Sequence, residues 1–248
     1  MEIKRHQMNT LSRIILLATI LAVSIGCKKS TEDEFTIANG PVAEQFVKRV
    51  DIFSNIPSEN KSYTVNYDGA GRVSSITDGS QSRFFNYASS GSLDKISDGN
   101  DALVINDLFQ SPYSAFEIGD VLEYDNVGNP KRILVYEDGY GSQILTGEII
   151  YDAAPNPFFY TLRAAGLLDV LDRVNINMRY QSPLIIKAKL LLPFNNIIGG
   201  IFKNEQGVTK YEVHAVYQYS SARYPISATV NIITPDDVKE YTVNYYYK

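Results

Sequence analysis

The sequence predicts an all-β domain. Its β-hairpins form an antiparallel meander, a strongly curved sheet or partly open barrel, with one short amphipathic helix. Three observations point there. Strand-like segments alternate in period two, with Tyr63, Val65 and Tyr67 set against Thr64 and Asn66. Turn residues follow at once in Asp68-Gly69-Ala70-Gly71, where Asp bonds its own backbone and Gly accepts positive φ. The 248 residues include 18 Tyr and no Trp, and Tyr suits a pleated, half-buried surface.

The first residues read as an address. Lys4, Arg5 and Arg13 precede an apolar run from Ile14 to Val23, which ends in Ser24-Ile25-Gly26-Cys27. A basic segment, a short apolar segment and a small residue at the cut describe a secretory signal. The run is too short to span a bilayer, which needs about 20 residues. Cys27 is the only cysteine, so it has no internal disulfide partner. Ser-Ile-Gly-Cys resembles the bacterial lipobox, with Ser24 where Leu is commonest. The resemblance implies cleavage before Cys27, a diacylglyceryl group on its sulfur and an acyl chain on its new amine. That chemistry tethers a protein to a membrane without spanning it. The expected organisation is a signal peptide over 1–26, a lipidated Cys with a flexible tether over 27–40, and a single β domain over 41–248. The acidic stretch Thr31-Glu32-Asp33-Glu34, after Lys28-Lys29-Ser30, reads as a solvated tether. It also resembles the export signal of surface-exposed lipoproteins in the Bacteroidetes. The expected location is the outer membrane, surface-exposed or periplasm-facing.

Along the mature chain, Val42, Phe46, Val47 and Val50 have partly helical spacing, while Val47–Phe53 also reads as a strand. Hairpin units then begin. Tyr67-Asp68 is followed by Gly71-Arg72 and the strand start Val73. Phe84–Tyr87 turns through Gly91 into Leu93–Ile96. Val121–Tyr124 with Asp125 turns through Gly128 into Lys131–Tyr136, and a fourth unit opens at Tyr151-Asp152. An isolated hairpin is marginal, so these units are expected to pair edge to edge. Tyr-Thr-Val-Asn-Tyr occurs at 63–67 and again at 241–245. It is either a recurring favourable strand sequence or a sign that the two strands hold equivalent, adjacent places. Residues 158–173 form the predicted helix, with Asn156 at the N-cap, Pro157 in the first turn and Gly166 as its weak point. Leu184–Leu192 is apolar and fits helix or strand. Tyr211, Val213, Ala215, Tyr217 and Tyr219 share one face of a late strand.

The Tyr-Asp-x-x-Gly-Arg-Val-x-x-Ile pattern at 67–76 resembles the YD repeat of RHS-type proteins. Together with the lipobox and with Tyr151-Asp152 followed by Asn156-Pro157-Phe158, it resembles a family of uncharacterised Bacteroidetes lipoproteins. For these the resemblance implies a porin-like β fold and no catalytic residues. The structural repeat positions are Tyr67, Asp68, Gly71, Arg72, Tyr124, Asp125, Gly128, Tyr151 and Asp152.

Composition narrows function by exclusion. The net charge of −5, with no basic cluster, argues against nucleic acid as a partner. After removal of the signal, His214 is the sole histidine, on the polar face of a strand, and no Gly-x-Ser-x-Gly elbow accompanies it. Asp98-Gly99-Asn100-Asp101 and Asp236-Asp237 lack calcium-loop spacing and read as turns. Ile198-Gly199-Gly200-Ile201 reads as a bend or bulge. Rows of Tyr read as core, with sugar or peptide stacking as the other option. No catalytic, cofactor or metal residue is assigned. The expected role is a binding or structural module, anchored through Cys27, for a glycan, a peptide or another envelope protein. The alternative is a hydrolase of envelope or dietary polymers.

Overall fold

The computed structural model describes residues 30–110, 113–114, 119–136, 144–177, 185–187 and 192–248. The predicted signal and Cys27 lie outside them. The first described element is a helix, α1 (Thr31–Asn39). The strands β1 (Val47–Ser54), β2 (Lys61–Tyr67), β3 (Val73–Thr77), β4 (Ser82–Tyr87), β5 (Leu93–Ser97) and β6 (Ala102–Val104) follow. Next come β7 (Tyr113–Ser114), β8 (Gly119–Tyr124), β9 (Pro130–Tyr136) and β10 (Ile144–Pro155). Helices α2 (Phe159–Ala164) and α3 (Leu167–Arg173) lead to β11 (Asn175–Asn177) and β12 (Ile185–Lys187). The chain ends with β13 (Asn195–Asn204), β14 (Thr209–Tyr219), β15 (Pro225–Ile233) and β16 (Val238–Tyr247).

Thirteen strands form one antiparallel sheet in the order β6-β5-β4-β3-β2-β1-β16-β15-β14-β13-β10-β9-β8. The predicted all-β meander is therefore the architecture. Val47–Phe53 resolves as strand, because Val50 and Ile52 turn inward while Arg49 and Asp51 face out. This makes β1 the first strand of the sheet, and it pairs with the last, β16. The two Tyr-Thr-Val-Asn-Tyr copies flank β1 and are not adjacent. Val50 lies between Tyr63 and Tyr245, so the copies are also staggered, the first residue of one level with the last of the other.

Among the described residues the sheet does not close. β6 and β8 each pair on one side only, with β5 and β9. An even number of antiparallel steps separates them, so they run in the same direction. One more antiparallel strand between them would complete a ring. β7 lies between them in sequence, yet it pairs in parallel with β11, within a small separate sheet that also holds β12.

The sheet has two unlike rims. At one, strands turn through five-residue loops and meet the helices. At the other, tight turns at Asp78–Gln81, Asp98–Asp101 and Thr234–Asp237 join the strands. The helices pack on the inner face at the first rim. The Thr161 hydroxyl accepts the Val47 N–H at 2.8 Å. A Cβ on Gly166 would stand 3.2 Å from that of Leu93, and one on Gly128 would stand 3.1 Å from the Phe194 ring. Contacts thus reach from β5 round to the start of β9, and the sheet curves about the helices. Val65, Val73, Phe85, Leu93, Ala165 and Val170 belong to one core, and Phe35, Phe159, Tyr160, Phe194 and Tyr224 to a second.

Two expectations need correction. The stretch read as a flexible tether over 27–40 is folded from Thr31, so the domain begins there and not at 41. Phe35 is the one large apolar side chain that α1 buries, and it stacks on Phe159 with ring centroids 3.6 Å apart. Glu32 pairs with Arg163 at 2.6 Å, and acids in a first turn suit the helix dipole. The helix predicted over 158–173 is divided at Gly166, whose φ of 72° ends α2 and starts α3. Asn156 accepts the Phe158 N–H at 2.9 Å in a turn, so α2 begins later than predicted. Apart from Ile185–Lys187, a short strand, most of Leu184–Leu192 lies outside the described residues.

Phe35→Ala is expected to cost about 3–5 kcal/mol in urea denaturation, against about 0.5 or less for the exposed Ile37→Ala. Equal, silent substitutions would mean that α1 is a tether after all.

Candidate functional site

The Tyr-Asp positions gather at the helix-bearing rim, and their chemistry is explicit. Asp68 Oδ1 accepts the N–H groups of Ala70 and Arg72, both at 2.9 Å, and Oδ2 accepts Arg72 Nε at 2.8 Å. Asp125 repeats this two and four residues on. Its Oδ1 accepts Val127 N–H at 3.0 Å and Asn129 N–H at 2.8 Å, and its Oδ2 accepts Asn129 Nδ2 at 2.9 Å. Gly71 and Gly128 hold the left-handed position before the return strand, at φ 81° and 97°. Arg223 holds the same place in the 220–224 turn at φ 68°, where few residues other than Gly sit. Its guanidinium donates to the Asn39 carbonyl at 3.0 Å.

Asp152 shows how the helices entered. Its Oδ1 accepts Ala154 N–H at 2.9 Å, as the pattern requires. The second backbone donor is Asn196 N–H at 3.1 Å, and Asn196 Nδ2 donates to Oδ2 at 3.2 Å. Asn196 thus plays the part of Arg72 and Asn129, and the helices are an insertion within the turn of the third Tyr-Asp hairpin. Tyr219 donates its hydroxyl to the same Asp152 carboxylate. Sequence spacing hides this partnership, because the two residues are far apart along the chain.

The tyrosines serve the same rim. Tyr67 donates to the Val47 carbonyl at 2.7 Å, Tyr87 to Val73 at 2.6 Å and Tyr151 to Pro130 at 2.8 Å. Tyr217 donates to Ile197 at 3.1 Å and Tyr247 to Pro225 at 2.6 Å. In each case a phenol near the end of one strand reaches a carbonyl near the start of the strand before it. Tyr124 ends β8, which has no paired strand before it. Its hydroxyl is buried with no hydrogen-bond partner among the described residues. Three buried asparagines join the rim to the helices. Asn129 Nδ2 donates to Asn195 Oδ1 at 2.9 Å, and Asn195 Nδ2 donates to Asn39 Oδ1 at 2.9 Å. No periodic signal marks these three in the sequence.

The remaining candidates separate. His214 stands on the outer face, 3.3 Å from Glu212, and not beside a serine. Asp98 Oδ1 accepts the N–H groups of Asn100 and Asp101, at 3.0 and 2.8 Å, and Oδ2 meets Arg83. Asp237 belongs to the Thr234–Asp237 turn. Ile198 is skipped between Ile150↔Gly199 and Tyr151↔Ile197, which is the bulge. Among the described residues no group of three His, Cys, Asp or Glu is placed to hold a metal ion. Arg72, besides binding Asp68, stacks over Tyr87 at 4.3 Å and serves the hairpin.

No family model matches the chain, and no curated protein matches it. Solved structures that resemble it include two porin-like proteins. The one from Bacteroides vulgatus has TM-score 0.40 and 11% identity, over 83% of this chain and 99% of that chain. The one from Bacteroides uniformis has TM-score 0.39 and 12% identity, over 84% and 99%. A candidate outer membrane lipoprotein-sorting protein domain from Vibrio parahaemolyticus has TM-score 0.30 and 9% identity, over 88% and 91%. At these scores none assigns a family or a function to this chain.

Tyr151→Phe is expected to cost about 1 kcal/mol or more, because it strands the Pro130 carbonyl, whereas Tyr124→Phe removes an unpaired buried hydroxyl and is neutral or stabilising. Urea denaturation of the two variants checks this, and an equal loss in both would contradict it. Burial pushes Tyr87, Tyr124 and Tyr217 up to about 12 and raises Tyr67, Tyr245 and Tyr247. Above the ordinary value of 10.0 the unfolded chain loses phenolic protons that the native state keeps. Stability is therefore full below pH 10 and falls as pH rises toward 12. Phenolate absorbance and circular dichroism should change together in an alkaline titration.

Proposed function

We propose that the mature chain is a lipid-anchored envelope protein whose β domain stands in water and acts as a binding or structural module. The observation that carries this reading is the outer wall of the sheet. Strand register sets Asp51, Asn66, Arg132, Glu148, Glu212 and Asn231 on it, around both halves of the meander. A barrel that crosses a membrane turns an apolar band outward, and a cation at the bilayer midplane costs about 2–4 kcal/mol. Exposed apolar residues on this wall, such as Phe84, Ile150 and Val216, sit among such polar neighbours. The wall suits water, so attachment falls to Cys27 in Ser-Ile-Gly-Cys, and the acidic stretch Glu32-Asp33-Glu34 after it supports an outer-membrane position.

The inner face supports a structural or docking role over catalysis. Helices occupy it at the tyrosine rim, five rim phenols are committed to carbonyls, and the rim carboxylates to turns. His214 beside Glu212 on the wall lends the hydrolase alternative no support. Partners are expected to be a peptide, an envelope protein or a glycan that meets exposed surface, and not a ligand gripped by the repeat residues.

Expressed with its signal, the protein should partition into detergent and float with membranes, while Cys27→Ser should lose both properties almost completely. Membrane retention of Cys27→Ser would point to a barrel that inserts, and a wild-type protein that stays aqueous would remove the anchor.

A further inference from the structure

We infer that the tyrosine rim is the face held against the lipid surface, with the rim of tight turns facing away. This rests on the anchoring of Cys27 proposed above. Only Lys28, Lys29 and Ser30 separate Cys27 from α1, and four fully extended residue steps reach about 14 Å. The far end of that short link is fixed. Thr31 is fully buried, and its N–H donates to Asp172 of α3 at 3.3 Å. Helix α1 is in turn bound to the rim at its other end. Asn39 accepts from Asn195 at the start of β13, and Arg223 reaches its carbonyl.

Height then separates the two rims. β16 has 10 residues, and strands rise about 3.3 Å per residue. The tight-turn rim therefore stands roughly 20–30 Å beyond the tyrosine rim, once strand tilt is allowed for. The polar wall opposes lying sideways in the hydrocarbon. At the tyrosine rim Arg163 is shared by Glu32 and Glu44, and Ile37 is exposed on the outer side of α1. Lys28 and Lys29 follow the anchor directly, and basic residues there suit anionic headgroups. The partner of this face is thus a phospholipid surface, and ligands approach from the opposite end.

The test uses the full lipidated protein carrying one added cysteine for a bimane label, either Ile37→Cys or Gln206→Cys. Both side chains are exposed, and Gln206 lies in the tight-turn rim between β13 and β14. Each labelled protein is bound to vesicles of phosphatidylethanolamine and phosphatidylglycerol with brominated acyl chains. Quenching is expected to be several-fold stronger at position 37 than at 206, with circular dichroism matching the parent. Co-flotation with equal quenching, or with stronger quenching at 206, overturns the orientation alone. Failure to co-float overturns the anchor reading and the orientation with it.

Discussion

Strands that arrive at the tyrosine rim hand a phenol to the strand before them, and much of the structure depends on that exchange. The hydroxyl caps a carbonyl near the start of the previous strand, and the ring lies inward. Each such bond, about 1 kcal/mol net, ties neighbouring strands at one end only. The opposite ends are held by short turns. Register shifts occur beside Tyr67, Tyr87, Tyr124 and Tyr151, and bulges of this kind bend a strand and increase its twist. Phenol and bulge together curve the sheet about α1, α2 and α3. Tyr124, at the open edge, shows the rule by its exception, since it has the ring and the bulge but no earlier strand to serve among the described residues.

The wall and the rim divide the labour of function. Inside, the Tyr and Asp residues that look most like a binding signature are bonded by the fold itself, Tyr124 excepted. Outside, polar and charged side chains such as Asp51, Asn66, Arg132 and Glu148 are spread over the wall. A protein built this way offers surfaces, and the residues free to meet a partner are those that the repeat does not use. This is why the conspicuous pattern Tyr67-Asp68-x-x-Gly71-Arg72 explains architecture well and specificity poorly.

Much of the architecture was legible in the sequence because period-two alternation and turn chemistry are local. Tyr63, Val65 and Tyr67 identify a strand, and Asp68 with Gly71 identifies its turn, without knowledge of neighbours. What stayed hidden depends on partners distant in sequence. α1 reads as polar tether because it buries one large apolar side chain, Phe35, and its other holds, Thr31 on Asp172 and Asn39 on Asn195, are polar and distant in sequence. Asn196 completes the Asp152 turn across an insertion that no local spacing can bridge. The destination of each phenol needs the strand order, which local alternation does not supply. The repeat residues themselves could be named from the sequence. Their employment as joints between strands could not.

The pairing of β1 with β16 has a consequence in time. β1 enters the sheet at its centre, but one edge finds its partner only at the carboxyl end of the chain, as in Val50↔Tyr245. Contacts of such separation slow folding, because a long loop is closed before it is rewarded. Tyr247, which caps Pro225 and packs against both cores, is next to last in the chain. Throughout synthesis, the polypeptide lacks the strand that joins its two half-sheets. It stays threadable until its last residues emerge, a property that suits the export proposed above.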